Sequence, residues 1–325
     1  MLKKWISSHY QKYALGLAFL CILLIFAVFW IIPEDFFPGR SHHPAPPVIP
    51  PQWSDYDPLL GTMMVQVNES EIYQSTSDLQ NFSTREYPSS GNEQAGQYLY
   101  SRLSTIPGLN VTYQDSPKKN IIATLPGKDP APGTVIIAGA HYDSSSSDPE
   151  HAPGATDNGC GVASVLELAR VMSTHTYNHT IVFAFWNAEE TGETKGSMDY
   201  AADARKNSLD IPLYFNYDSS CYDPDHQNVL DIIYDEQSEP YAALLTRYNT
   251  LYSVNFTLTE NVNTCDGDHL SFREEGYPAI MTHSPLHADQ VHSPDDTVDL
   301  ISTGFARKNA QLGMLLLART AEIQR

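Results

Sequence analysis

An unbroken apolar run opens the chain, and beyond it short apolar runs alternate with helical periodicities. Residues 13–32 contain no charged side chain. Wound as a helix, about 20 residues rise roughly 30 Å, the thickness of a bilayer's hydrocarbon core. Eight prolines follow within residues 33–58, a density that disfavours helix and favours an extended, semi-rigid spacer. From residue 59 the pattern is globular. Helical spacing of apolar residues predicts helices over 93–103, 161–172 and 304–323. Continuous apolar runs predict strands over 110–113, 120–125, 134–140, 181–186, 211–217, 229–234 and 277–281. Strands without polar alternation are buried on both faces. The expected fold is therefore α/β, a mostly parallel mixed sheet covered by helices on both sides. No internal repeat or inserted second domain is apparent.

Charge orients the predicted membrane span. Lys3, Lys4 and Lys12 precede it, whereas Glu34 and Asp35 follow. The basic side stays in the cytoplasm, so the expected order is a cytoplasmic tail (1–12), a transmembrane helix (13–32), a linker (33–58) and an exported domain (59–325). Beyond the span, 16 basic residues face 39 acidic ones, a formal charge of −23. That balance argues against nucleic-acid binding. Five Asn-x-Ser/Thr sequons, at Asn68, Asn81, Asn110, Asn178 and Asn255, fit export to the cell surface. Cys160, Cys221 and Cys265 lie outside the span without the paired spacing of a zinc-thiolate site, and read as structural.

The candidate chemistry gathers at strand ends, where ligands bind in such sheets. His141 and Asp143 follow the run 134–140. Glu189 and Glu190 follow 181–186, and Asp218 follows 211–217. A loop after 277–281 carries His283, His287 and His292. Asp157 stands just before a predicted helix, where it could be a ligand or that helix's cap. Two adjacent glutamates repel unless a cation compensates them or one stays protonated. Two histidines with several carboxylates form a ligand set that suits zinc.

These motifs resemble the zinc aminopeptidases of peptidase family M28. They are Ala140-His141-Tyr142-Asp143-Ser144, Gly154-Ala155-Thr156-Asp157-Asn158-Gly159, Trp186-Asn187-Ala188-Glu189-Glu190, Asn216-Tyr217-Asp218, Gly267-Asp268-His269 and His292-Ser293-Pro294-Asp295-Asp296-Thr297. The likeness runs from about residue 84 to 300. It implies two zinc ions, one held by His141 and Asp218, the other by Glu190 and His292, with Asp157 bridging. His292 is preferred to His283 because Asp295-Asp296-Thr297 follows it. Glu189 would be the general base for a metal-bridged hydroxide that cuts peptides from a free N-terminus. Asp143 would orient His141, and Asp268 and His269 would touch substrate. The cleft would be shallow, lined by Tyr142, Tyr217, Tyr222 and Asp268. Because Cys221 and Cys265 each stand three residues from a motif Asp, a Cys221–Cys265 disulfide is expected. The chain departs from the family after the Glu pair, where 191–197 is polar and about one residue longer. Two alternatives stay open: a glutaminyl cyclase using one zinc, and an inactive membrane-bound relative.

Overall fold

The computed structural model describes residues 47–129, 133–192, 195–262, 266–286 and 288–325. The expected tail, the expected membrane helix and most of the linker lie outside these residues, as do Cys265 and His287. Among the described residues no helix is long and apolar enough to cross a membrane.

Eight strands form one mixed sheet: β1 (Asn110–Tyr113), β2 (Ile121–Leu125), β3 (Val135–His141), β4 (Thr180–Trp186), β5 (Leu213–Tyr217), β6 (Val229–Tyr234), β7 (Thr257–Val262) and β8 (Ala279–His283). Their order is β1-β2-β4-β3-β5-β8-β6-β7. The central four, β4, β3, β5 and β8, run parallel. Antiparallel pairings at β2–β4 and β8–β6 flank them. The carboxyl ends of the central strands therefore meet at one edge.

Eight α-helices are present among the described residues: α1 (Pro58–Met64), α2 (Glu69–Gln80), α3 (Ser90–Ser104), α4 (Cys160–Met172), α5 (Gly196–Lys206), α6 (Glu239–Leu251), α7 (Asp268–Glu274) and α8 (Thr303–Thr320). Strand residues alternate between two cores, as the pleat requires. Ile136, Ala138, Phe183, Phe185, Leu213 and Phe215 face a large core shared with α1–α4, α6 and α8. Ile137, Val182, Ala184, Trp186 and Tyr214 face a smaller one shared with α5 and α7. Both faces of the sheet are thus covered, as expected. Five helices, α1, α2, α5, α6 and α7, were not expected. They are short or mostly polar on their outer face, so periodicity did not betray them. Strand β7 was also missed, its apolar residues being interleaved with Thr257, Thr259 and Glu260.

The end of the proline-rich stretch is docked rather than free. Residues Pro51–Ser54 form a 3-10 turn, Trp53 packs against the large core, and the Tyr248 hydroxyl donates to the Trp53 carbonyl at 2.7 Å. Asp57 caps α1 through the Leu59 amide at 3.0 Å. Its carboxylate also meets Arg319 at 3.3 Å and Arg325 at 3.2 Å.

Tyr217 follows the parity of Leu213 and Phe215 and points into the large core. It is fully buried, with its hydroxyl against Gly313 of α8, where an added methyl would collide with it. The expectation that Tyr217 lines the cleft is corrected by this alternation. Gly313→Ala overpacks the α8–sheet contact and should cost about 1–3 kcal/mol, read as a lowered urea midpoint at unchanged slope.

Candidate metal centre

The four parallel strands deliver candidate residues to the same edge. His141 is the last residue of β3, Asp218 follows β5 directly, and Glu189 and Glu190 form a short 3-10 turn just after β4. His283 ends β8. The turn residues are held in unusual backbone conformations: Ala188, Ser219 and His292 all have positive φ. Such conformations persist only where the surroundings fix them.

Asp157 sits at the centre. The segment Ala155–Gly159 is an irregular turn with a cis peptide between Asp157 and Asn158. Asp157 does not cap α4; Gly159 occupies the cap position and supplies no side chain. The Asp157 carboxylate instead spans two imidazoles. Its Oδ1 lies 3.2 Å from His141 Nε2, and its Oδ2 lies 3.4 Å from His292 Nε2. Around His141, Asp218 Oδ1 approaches Nε2 at 3.5 Å. Around His292, Glu190 Oε2 approaches Nε2 at 3.1 Å. His141, Asp157 and Glu190 each offer a ligand atom within 4.8 Å of the others. The structure thus brings His141, Asp157, Glu190, Asp218 and His292 together. His283 lines the same cleft, but the contacts to Asp157 and Glu190 are made by His292.

These residues fit a bound cation. Asp157 Oδ1 and Glu190 Oε1 are buried without a hydrogen-bond partner. Burial and the neighbouring Asp157 charge push the Glu190 carboxyl up to about 7. Burial likewise pushes Asp218 up to about 6. Hydrogen bonds to Asp157 and Glu190 raise His292 to about 10. In the absence of metal, protons and imidazolium charges balance the acids; a divalent cation would take that place. Nitrogen and carboxylate donors without thiolate suit zinc.

Two further carboxylates hold the turns rather than face the cleft. Asp143 Oδ1 accepts from the Glu189 amide at 3.1 Å, and Oδ2 from the Glu190 amide at 3.0 Å. The same oxygen Oδ1 lies 3.6 Å from His141 Nδ1, whose nearer partner is the Asp143 carbonyl at 3.2 Å. Asp143 therefore fixes the glutamate turn as firmly as the imidazole. Asp296 accepts from the Thr156 amide and hydroxyl and from the Asp157 amide, at 3.0, 2.7 and 3.2 Å. It ties the His292 loop to the Asp157 turn.

The remaining expectations need correction. Asp268 and His269 are both 0% exposed, and neither lines the cleft of about 290 Å³. Burial and the Glu189 charge raise the Asp268 carboxyl well above its usual range, and burial with Arg273 nearby lowers His269 to about 3. Enclosed in this way, neither group is placed to meet a substrate ammonium in the cleft. Tyr142 is 2% exposed, with its hydroxyl donating to the Lys119 carbonyl at 3.3 Å; Tyr222 lines a separate depression. Cys221 is bonded to Cys160, not Cys265. The disulfide joins the start of α4, three residues past Asp157, to the loop three residues past Asp218.

Two cations were missed from the sequence. Arg85 is fully buried and donates to the carbonyls of Tyr142, Pro153 and Gly154 at 2.8, 2.5 and 2.9 Å, pinning the His141 loop to the Asp157 turn. Burial lowers its pKa to about 10, against the charges of Asp296 and Asp143. Lys195 stands 2.6 Å from Glu189 Oε1 and 2.9 Å from Asp266 Oδ1. Burial opposes the Lys195 charge, but Glu189 and Asp266 more than restore it. No periodicity marks an isolated basic residue, although Lys195 lies in the polar stretch that departs from the family pattern.

The sequence pattern of peptidase family M28 matches residues 120–316, more than half the chain, including strands β2 to β8 and the metal-ligand candidates. The chain belongs to peptidase family M28. Among curated relatives it is 26% identical over 276 residues to a probable leucine aminopeptidase of Trichophyton verrucosum, covering 79% of this chain and 74% of that one. It is also 26% identical over 274 residues to leucine aminopeptidase 1 of Aspergillus niger, covering 76% and 69%. Among solved structures, the LapA aminopeptidase of Legionella pneumophila superposes with a TM-score of 0.72 at 19% identity, covering 82% and 76%. A Bacteroides thetaiotaomicron glutaminyl cyclase superposes at 0.61 with 18% identity, covering 77% and 97%. Those structural likenesses establish the fold, which hosts more than one chemistry.

Arg85→Met leaves the carbonyls of Leu79, Tyr142, Pro153 and Gly154 without their charged donor. It should lower stability by about 3 kcal/mol, seen in the denaturant midpoint, and reduce zinc binding by the folded protein because both site loops lose their tie.

Proposed function

We propose that the chain is a zinc-dependent aminopeptidase that removes residues from the free N-terminus of peptides, with two metal positions sharing Asp157. The observation that carries this reading is the shared carboxylate, each of whose oxygens faces a different imidazole. His141 and Asp218 would hold one ion, and Glu190 and His292 the other. Bound there, zinc supplies Lewis acidity for the scissile carbonyl and a lowered pKa for attacking water.

The chain's own groups do the rest. Glu189 lines the cleft beside this set, with Oε1 taken by Lys195. Its other oxygen, Oε2, accepts the proton of the attacking water and returns it to the leaving amine. Asp143 holds the peptide amide of Glu189, so that carboxylate swings about its side chain alone. The acidic cleft rim favours a substrate ammonium, which a free N-terminus carries and an acylated one lacks. Leucine aminopeptidases among the curated relatives support the same direction of cleavage. A cyclase with one zinc would leave His141 and Asp218 without a task.

We also propose that residues 13–32 anchor the chain in the cell membrane, with the catalytic domain on the exported side. The Cys160–Cys221 disulfide suits an oxidising compartment. Four of the five sequon asparagines, Asn68, Asn81, Asn110 and Asn255, are exposed.

Glu189→Gln should retain zinc, measured by elemental analysis, while kcat on amino-acid p-nitroanilides falls by about 10²–10⁴; undiminished turnover would remove Glu189 from the mechanism. N-acetylated peptides should not be cleaved. Their efficient hydrolysis would reassign the enzyme to another peptidase type, and ammonia release from an N-terminal Gln peptide without hydrolysis would make it a cyclase.

A further inference from the structure

We infer that Lys195 is a positioning residue for Glu189, locking one oxygen of the proton-carrying carboxylate, and that Asp266 serves as the second counter-charge of Lys195. The inference rests on the hydrolase reading above and concerns a residue from the polar stretch 191–197.

Several observations converge on it. The Lys195 side chain is 6% exposed, yet its ammonium reaches into the catalytic cleft. Its backbone is fixed close by. The next residue, Gly196, donates its amide to the Asn187 carbonyl at 2.8 Å, and its carbonyl accepts from Asn120 Nδ2 at 2.8 Å. Asn120 Oδ1 in turn accepts from the Asn187 amide at 3.0 Å. Asn187 lies between β4 and the glutamate turn, so the base and its clamp are anchored to the same strand end. At Gly196 a side chain would strike Asn120 Oδ1, so the approach of these two segments needs glycine there.

The chemistry of the clamp follows. A glutamate side chain loses rotamer freedom when fixed, and an ion pair formed before substrate arrives meets that loss in advance. With Oε1 on the ammonium, Oε2 is left as the proton carrier. When Oε2 takes up the proton, Glu189 becomes neutral and stops balancing Lys195. Asp266, 2.9 Å from the ammonium, then remains as its counter-charge, so the proton transfer does not strand a nearly enclosed cation. Asp266 is 78% exposed on its side chain, so its part is electrostatic rather than structural.

The test compares Lys195→Met, Lys195→Arg and Asp266→Asn with the unaltered zinc-loaded protein. For Lys195→Met, kcat on leucine p-nitroanilide should fall about 10–100-fold with KM within about threefold, and with zinc content and melting temperature unchanged. Lys195→Arg should recover most of kcat. Asp266→Asn, at an exposed position that folding tolerates, should lower kcat about 3–10-fold, again without a KM effect. An unchanged kcat in both Lys195→Met and Asp266→Asn overturns the inference. So does a rise in KM alone, which would make Lys195 a substrate anchor, or joint loss of zinc and melting temperature without rescue by arginine, which would make it structural. An unaltered protein with no metal-dependent hydrolysis would instead sink the hydrolase reading, and this inference with it.

Discussion

Mutual repulsion among buried acids governs the catalytic edge of this domain. Asp143, Asp157, Glu190, Asp218 and Asp268 are all wholly or largely withdrawn from water within one small region. Such a cluster cannot be fully ionised without compensation, since each added charge raises the next group's pKa. The compensation is distributed. His141 and His292 flank Asp157, Lys195 lies on Glu189, Arg85 sits beneath the loops, and burial with the Glu189 charge shifts Asp268 towards its protonated form. Asp157 Oδ1 and Glu190 Oε1 still lack a hydrogen-bond partner, and both belong to residues that could hold a cation.

The sheet makes that concentration of charge possible. Parallel strands β4, β3, β5 and β8 put four chain crossovers at one edge, and each crossover carries a different ligand-type residue. A hydrophobic sheet buried on both faces gives those residues a rigid floor. The disulfide then joins two of the crossovers directly, Cys160 beyond Asp157 to Cys221 beyond Asp218. Across a separation of 61 residues, such a link restricts the unfolded chain by about 4 kcal/mol on the loop-entropy account.

Strand ends were legible in the sequence because continuous apolar runs break abruptly into polar residues there. His141, Glu189, Glu190 and Asp218 could be placed at one edge for that reason. Asp157 stayed ambiguous, since a residue before a helix reads equally as a cap; only the irregular turn frees its carboxylate. Tyr217 was misplaced although strand parity with Leu213 and Phe215 carried the answer. Tyr142 and Asp268 were misplaced for a different reason: proximity along the chain to a ligand says nothing of which way a side chain turns. The same error produced the Cys221–Cys265 pairing, drawn from spacing to two aspartates, whereas the bond is made to Cys160. Arg85 and Lys195 had no signal at all in periodicity, because a single buried cation makes no pattern.

Asp143 and Asp296 hold backbone turns behind the cleft, and their placement explains how the acids that line it are held. Asp143 spends both oxygens on the amides of Glu189 and Glu190, and Asp296 spends its own on Thr156 and Asp157. Amides at a tight turn point outward together and form a small anion-binding nest, so a buried carboxylate can be stabilised there without a cation. Each of these carboxylates thus fixes the backbone of a turn whose side chains are themselves acidic. The arrangement stacks negative charge behind negative charge, with backbone dipoles between the layers. It gathers the oxygens of Asp157, Glu190 and Asp218 around His141 and His292. An anionic surface that is rigid before any cation arrives binds without the further loss of side-chain freedom that a flexible acidic patch would suffer. That rigidity, rather than the number of acids, separates this edge from the many solvated carboxylates elsewhere on a chain with 39 of them.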